Sequence, residues 1–149
     1  MKTIWQPDAE RDLRDRLARL TPDAERRWGT MTAHRMICHL IDALTIPLGE
    51  TPVTVRGKFT ANPIVRHVMI FWLPWPKGKI KTMREFLVTQ PAEWSADVAR
   101  FGDLITRVVE RGRQGSGFGP HPAFGHLSHQ EWGGLMYKHA DYHFKQFGV

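Results

Sequence analysis

The sequence predicts an all-α protein, a four-helix bundle with short additional helices. Long stretches carry apolar residues at helical spacing. Each stretch is bounded by a capping residue, a proline or a glycine. No stretch alternates apolar and polar residues in the manner of a half-buried strand. At 149 residues, with 42% hydrophobic and 24% charged side chains, the chain fits one globular domain, residues 1–149, with a core of its own. No internal repeat or low-complexity tract interrupts it.

The first helix is expected from about Pro7 to Leu20, with Leu13, Leu17 and Leu20 on one side. Segment 11–27 mixes Arg11, Arg14, Arg16, Arg19, Arg26 and Arg27 with Asp12, Asp15, Asp23 and Glu25, a pattern that reads as a solvated, ion-paired face. Thr21-Pro22-Asp23 then resembles an N-cap with proline at the first helical position, so a short helical piece is expected up to Trp28-Gly29.

The second long helix should begin near Thr32 and end before Gly49, with Met36, Leu40, Ala43 and Leu44 on its apolar side. Pro47 would stop or bend it. Residues 50–62 read as a loop, with extended character at Val53-Thr54-Val55. Asn62-Pro63 is a further cap and first position, opening a short apolar helix from Ile64 to Trp72. Residues 77–90 form a basic connection that either crosses the bundle or borders a site. The fourth helix is expected from Pro91 to about Arg113, with Trp94, Val98, Phe101, Leu104, Ile105 and Val108 in register. The last opens at Ser128-His129-Gln130-Glu131, a capping box.

Composition limits the function classes. The net charge is +6, but the 21 basic residues are scattered among 15 acidic ones, so nucleic-acid binding is not expected. One basic cluster, Lys77, Lys79 and Lys81 beside Trp72 and Trp75, has the make-up of a docking loop. The apolar stretch from Pro63 to Pro76 is too short to span a bilayer and carries Arg66 and His67. A lone Cys38 and a start that lacks a secretory pattern suit a cytoplasmic protein. Gly115 to Gly119 lacks the lysine and the preceding strand of a phosphate loop. No Ser-His-Asp or Cys-His arrangement can be argued.

The chemistry concentrates in the last helix. Trp132, Leu135, Met136, His139, His143 and Phe147 fall within about 60° of one direction on a helical wheel. That direction should be the core. Two imidazoles one turn apart on an inward face are the simplest way for a helix to offer two ligands to one metal ion. An open catalytic zinc site needs a third. Among the eight histidines, His34 sits in the first turn of the second helix. His67 neighbours the charged Arg66. His121, His126 and His129 lie in or before the turn into the last helix, where exposed or capping roles are expected, although His126 could reach the mouth of a site. His39, between Met36 and Ala43, can face the core and is the preferred third ligand. Cys38 points about 100° away from His39 and reads as a small buried hydrophobe. Asp42, almost one turn after His39, either orients an imidazole or faces solvent. Trp132 either lines a pocket or fills the core. Asp141, opposite the stripe, is expected at the surface.

Thr32-Ala33-His34-Arg35-Met36-Ile37-Cys38-His39-Leu40-Ile41-Asp42 resembles the first metal-ligand helix of the DinB-like superfamily of bacterial metal-binding bundles. His121-Pro122-Ala123-Phe124-Gly125, Glu131-Trp132 and the tail Tyr137 to Val149 resemble one uncharacterised branch of it. Residues 50–90 carry no such resemblance. The resemblance implies an up-down-down-up four-helix bundle that often dimerises. It also implies one divalent metal, zinc or nickel by preference and iron as a further option, on three histidines that map onto His39, His139 and His143. Some relatives are thiol S-transferases that use low-molecular-weight thiols. A three-imidazole ion lowers the pKa of bound water to about 7 and deprotonates a bound thiol. The expected function is therefore a metal-dependent transferase or hydrolase acting on a small molecule. The alternative is a non-catalytic metal-binding bundle in a stress response, or a binding module.

Overall fold

Each helix starts where a side chain or a proline deals with the first free amides. The computed structural model describes residues 2–149, among which there are five α-helices and no strand. Helix α1, Pro7–Arg19, opens on a proline whose missing N–H would have had no partner in any case. In α2, Ala33–Leu48, the Thr32 side chain accepts from the Arg35 amide, and the helix ends at Gly49 with φ 81°, which glycine adopts without strain. Asn62 caps α3, Pro63–Phe71, by accepting from Ile64 and Val65. Glu93 caps α4, Trp94–Arg113, through Ser95 and Ala96. Ser128 and Glu131 close a reciprocal capping box on α5, His129–Gln146. A one-turn 3-10 helix, Arg84–Phe86, lies in the connection before α4.

Two boundaries differ from the sequence reading. Helix α4 starts three residues after Pro91, because the Glu93 carboxylate takes the free amides and the Asp97 carboxylate accepts from Ala92 N–H at 3.1 Å. No helix forms over residues 21–28. There the Arg27 N–H donates to the Gln146 carbonyl at 2.7 Å, and the Trp28 carbonyl accepts from Gln146 Nε2 at 2.7 Å. The segment spends its backbone groups on the end of α5 rather than on itself. Pro47 is accommodated in the last turn of α2, which still runs to Leu48.

Helices α2 and α4 pack along each other, and α5 contacts α1, α2 and α3. The core joins Leu13 of α1, Ile37, Leu40 and Ile41 of α2, Phe101, Ile105 and Val108 of α4, and Trp132, Met136 and Phe144 of α5. Burying each such side chain contributes about 1.5–3 kcal/mol. Helix α2 is buried almost without interruption from Met36 to Pro47, which makes it the central element.

The arginine-rich face of α1 is not wholly solvated. Arg16 is buried and donates to Asp141 Oδ1 at 2.8 Å, to the Asp141 carbonyl at 3.2 Å and to the Val149 carbonyl at 3.0 Å. Asp141 is accordingly only partly exposed, and α1 is tied to the end of the chain. Helix α3 is held on α5 by Lys138, whose Nζ donates to the carbonyls of Met69, Ile70 and Leu73 at 3.0, 2.8 and 2.6 Å. Its outer side leaves Ile64 and Trp72 exposed. No helix of the described residues is long and apolar enough to cross a membrane.

Candidate metal centre

Helices α2 and α5 bring His39, His139 and His143 together, with one ring nitrogen from each lying within 4.8 Å of the others. His139 and His143 are adjacent because they are one turn apart on α5. His39 faces them because it is on the side of α2 that packs against α5. The ring centroids are 4.8 Å apart for both pairs involving His39 and 5.0 Å for His139 with His143. His39 Nε2 lies 2.9 Å from His139 Nε2. His39 and His143 are buried, His139 is partly exposed, and the Trp75 ring lies 5.6 Å from the His139 ring between centroids.

Two of the three rings have their tautomer fixed by the protein. His39 Nδ1 donates to the Phe86 carbonyl at 3.0 Å. His143 Nδ1 donates to Gln146 Oε1 at 2.8 Å, and Gln146 is oriented by its own donation to the Trp28 carbonyl. A neutral imidazole with its proton on Nδ1 presents a bare lone pair on Nε2. The His39 lone pair faces His139, and both pinned rings show the outer-shell pattern of metal-binding histidines. A proton on His139 Nε2 satisfies the short contact with His39 in the metal-free chain. Zinc at 2.0–2.1 Å from each nitrogen in tetrahedral geometry needs about 3.3 Å between nitrogens. An opening of a few tenths of an ångström brings the pair to that spacing, so the residues fit a divalent ion.

The electrostatics agree with the donor set. Burial lowers the pKa of His39 despite the Phe86 carbonyl. Burial first, and the neighbouring His39 second, bring His143 down to about 3. Burial and the three surrounding imidazoles hold His139 well below the ordinary histidine value. All three are neutral at pH 7, as metal ligation requires.

The surrounding residues sort by contact. Asp42 is buried and makes no hydrogen bond to an imidazole among the described residues. Its carboxylate accepts from Val88 N–H at 2.7 Å, Thr89 N–H at 3.0 Å and Thr89 Oγ1 at 2.6 Å. It thereby anchors the segment that presents the Phe86 carbonyl to His39. Trp132 is 2% exposed and lines a cavity of about 20 Å³ together with His139, Phe86 and His121. His126 is exposed. His121, expected in an exposed or capping role, is instead buried, and burial pushes its pKa down to about 3. Gln146 carries no role in the sequence analysis, and His121 carries there only an exposed or capping one. Gln146 stands three residues after His143 on the same helix, so its spacing was a usable signal. His121 sits in a turn, and only the long-range packing shows where it goes.

A second cluster lies on another side of α2. His34 Nε2 is 2.7 Å from Asp97 Oδ2, and the Cys38 thiol donates to the same oxygen at 3.9 Å. Cys38 thus points to α4 while His39 points to α5. Burial, with Asp97 beside it, raises the thiol pKa to about 11, so no thiolate forms near neutrality. The group ties α2 to the start of α4. In the basic connection, Lys77 lies over the Trp28 ring at 4.7 Å, and Gly78 N–H donates to Tyr142 Oη at 3.0 Å. Trp75, just before this connection, and Phe86, within it, both border the imidazole cluster.

A family described as a protein of unknown function, DUF1569, matches residues 7–148. No curated protein and no solved structure matches the chain.

Proposed function

The chain belongs to the DUF1569 family, and we propose that it is a divalent-metal protein whose ligands are His39, His139 and His143. We read residues 1–149 as one domain of the DinB-like, up-down-down-up four-helix kind, with zinc or nickel as the preferred ion and iron as a further fit. The observation that carries this reading is the pair of pinned tautomers. Phe86 and Gln146 each take an Nδ1 proton, so that two buried rings are left with bare Nε2 lone pairs beside a third imidazole. Burying three neutral imidazoles costs stability unless something satisfies them.

When bound, the ion would supply a Lewis acid that lowers the pKa of a bound water or thiol. The chain's own residues do the rest. Phe86 and Gln146 hold two rings in place, Asp42 keeps the Phe86 carbonyl in position, and the Trp75 ring packs near His139. Three neutral ligands leave the full charge of a divalent ion uncompensated, which favours an anionic ligand at an open position. This supports a metal-dependent transferase or hydrolase of a small molecule, with a low-molecular-weight thiol among its substrates.

The small cavity favours a second reading, a metal-stabilised protein without catalysis. That protein would lose much of its thermal stability on chelation and would bind no exogenous ligand at the metal.

The first test is elemental analysis of protein purified without a nickel column, beside His139→Ala. About one metal per chain in the parent and little in the variant is the expected result. No metal in the parent, even after reconstitution, rejects the centre.

A further inference from the structure

Helix α2 carries a pair of metal-ligating side chains of its own, one turn apart. His34 and Cys38 stand at i and i+4, the spacing of His139 and His143 on α5. A facing helix again supplies the third group, here Asp97 in the first turn of α4. One ligand atom from each of the three lies within 4.8 Å of the others. His34 Nε2 donates to Asp97 Oδ2 at 2.7 Å, and the Cys38 thiol is 3.9 Å from the same oxygen. That oxygen also accepts from the Ala92 amide at 3.1 Å. A carboxylate has about four lone-pair sites, so ligation does not cost Asp97 its bond to Ala92. Cys38 and Asp97 are buried. His34, with 21% of its side chain exposed, is the most open of the three.

Sulfur, nitrogen and oxygen donors of this kind suit zinc. With zinc 2.3 Å from sulfur and 2.0–2.2 Å from nitrogen and oxygen, tetrahedral ligand atoms lie about 3.3–3.6 Å apart. The His34–Asp97 contact has to open by about 0.6 Å and the Cys38–Asp97 contact to close by about 0.3 Å. Charge points the same way. A thiolate and a carboxylate cancel the two charges of a divalent ion, and a buried ion needs such pairing. We propose that His34, Cys38 and Asp97 form a second divalent-metal site, of the zinc class, which clasps α2 to α4. On binding, the Cys38 thiol gives its proton to solvent and its sulfur bonds the ion. The proton on His34 Nε2 passes to Nδ1, and the freed lone pair takes the metal. Nothing is oxidised or reduced. The buried thiol is placed to ligate an ion rather than to attack a bulky substrate. The inference does not rest on the imidazole centre, since the two sites share no ligand.

Cobalt(II) is the probe, because its bond to a thiolate gives an intense near-ultraviolet charge-transfer band and its bond to imidazole does not. The chain has a single cysteine, so such a band reports Cys38 alone. Full-length protein is titrated with cobalt(II) in thiol-free buffer, beside His139→Ala, Asp97→Asn and His34→Gln. The expected result is a band that saturates at one thiolate-bound cobalt per chain and persists in His139→Ala with similar affinity. Loss of an outer partner already costs a metal site about tenfold, so loss of a ligand should cost at least that. Asp97→Asn and His34→Gln should therefore each weaken the binding behind the band about tenfold or more. Visible cobalt absorption without the band means that only imidazoles hold the ion, which overturns the second site and leaves the first standing. A band lost in His139→Ala means that Cys38 shares the ion of the imidazole centre, and it also overturns the second site. A band of unchanged affinity in both Asp97→Asn and His34→Gln overturns the triad. No bound cobalt at all overturns both sites. Should Asp97→Asn fail to fold, the parent titration, His139→Ala and His34→Gln still decide the question.

Discussion

Gln146 decides which nitrogen His143 offers to the cluster. Its amide donates to the Trp28 carbonyl, so its oxygen is the atom left to face His143 Nδ1. Gln146→Leu removes that acceptor and frees the ring to change tautomer or rotate. Zinc affinity should fall about 10- to 100-fold, the usual cost of losing such a partner. Gln146→Glu retains an acceptor and should recover most of the affinity. Calorimetric titration reads both, and parent-like affinity in Gln146→Leu would show that the contact does not orient the ligand. At this scale the sequence was most informative where geometry is local. The i, i+4 spacing of His139 and His143 survives any tertiary arrangement, and the position of His39 between Met36 and Ala43 predicts the face it occupies. His121 was misjudged because a turn residue's burial depends on what packs over the turn, here Phe86 and Trp132.

Helices were legible to the extent that their ends carry local chemistry. Thr32, Asn62 and the Ser128–Glu131 box are where the caps were expected. Residues 21–28 were misread because the end of α5 competes for their backbone groups, a contact more than a hundred residues away in sequence. Two contacts between elements carry predictions. Gly134 of α5 lies against the Phe71 ring of α3, where an added Cβ would overlap the ring's edge. Gly134→Ala should push α3 outward and cost about 1–3 kcal/mol, read by denaturant unfolding. Faster amide exchange confined to α3 would locate the damage. Unchanged stability and exchange would mean that Phe71 moves aside freely. Asp42 connects α2 to the segment before α4. Asp42→Ala leaves the Val88 and Thr89 amides and the Thr89 hydroxyl without their acceptor. Amide exchange at Val88 and Thr89 should accelerate, and zinc affinity should fall although Asp42 makes no hydrogen bond to an imidazole. A variant with parent-like zinc affinity would show that the Phe86 carbonyl is held in place without it.

At the scale of the whole molecule, the centre gathers parts that are remote in sequence: α2, the Phe86 turn, α5 and, through Gln146, the segment at Trp28. The same burial that readies the imidazoles for a metal makes the metal-free protein sensitive to acid. His121 and His143 are held down to about 3 in the folded chain, against about 6.5 for an exposed histidine. Between those values the unfolded chain binds protons that the folded chain refuses. Stability is therefore full above about pH 6.5 and falls as pH drops toward 3. Each such group contributes a slope of about 1.4 kcal/mol per pH unit, so these two give roughly 3 kcal/mol per unit well below pH 6. His39 and His139, both lowered by burial, act in the same direction. Against a total stability of about 5–15 kcal/mol, a few pH units suffice for unfolding. Zinc at a hundredfold excess over its dissociation constant adds about 2.7 kcal/mol near neutrality. That gain should shrink with acid, because protons and metal compete for the same imidazoles. Melting curves from pH 8 to pH 4, with and without zinc, should show two lines that fall and converge. A metal-free melting temperature that stays flat from pH 7 to pH 5 would contradict the buried, neutral cluster itself, and with it the physical basis for a metal at this position.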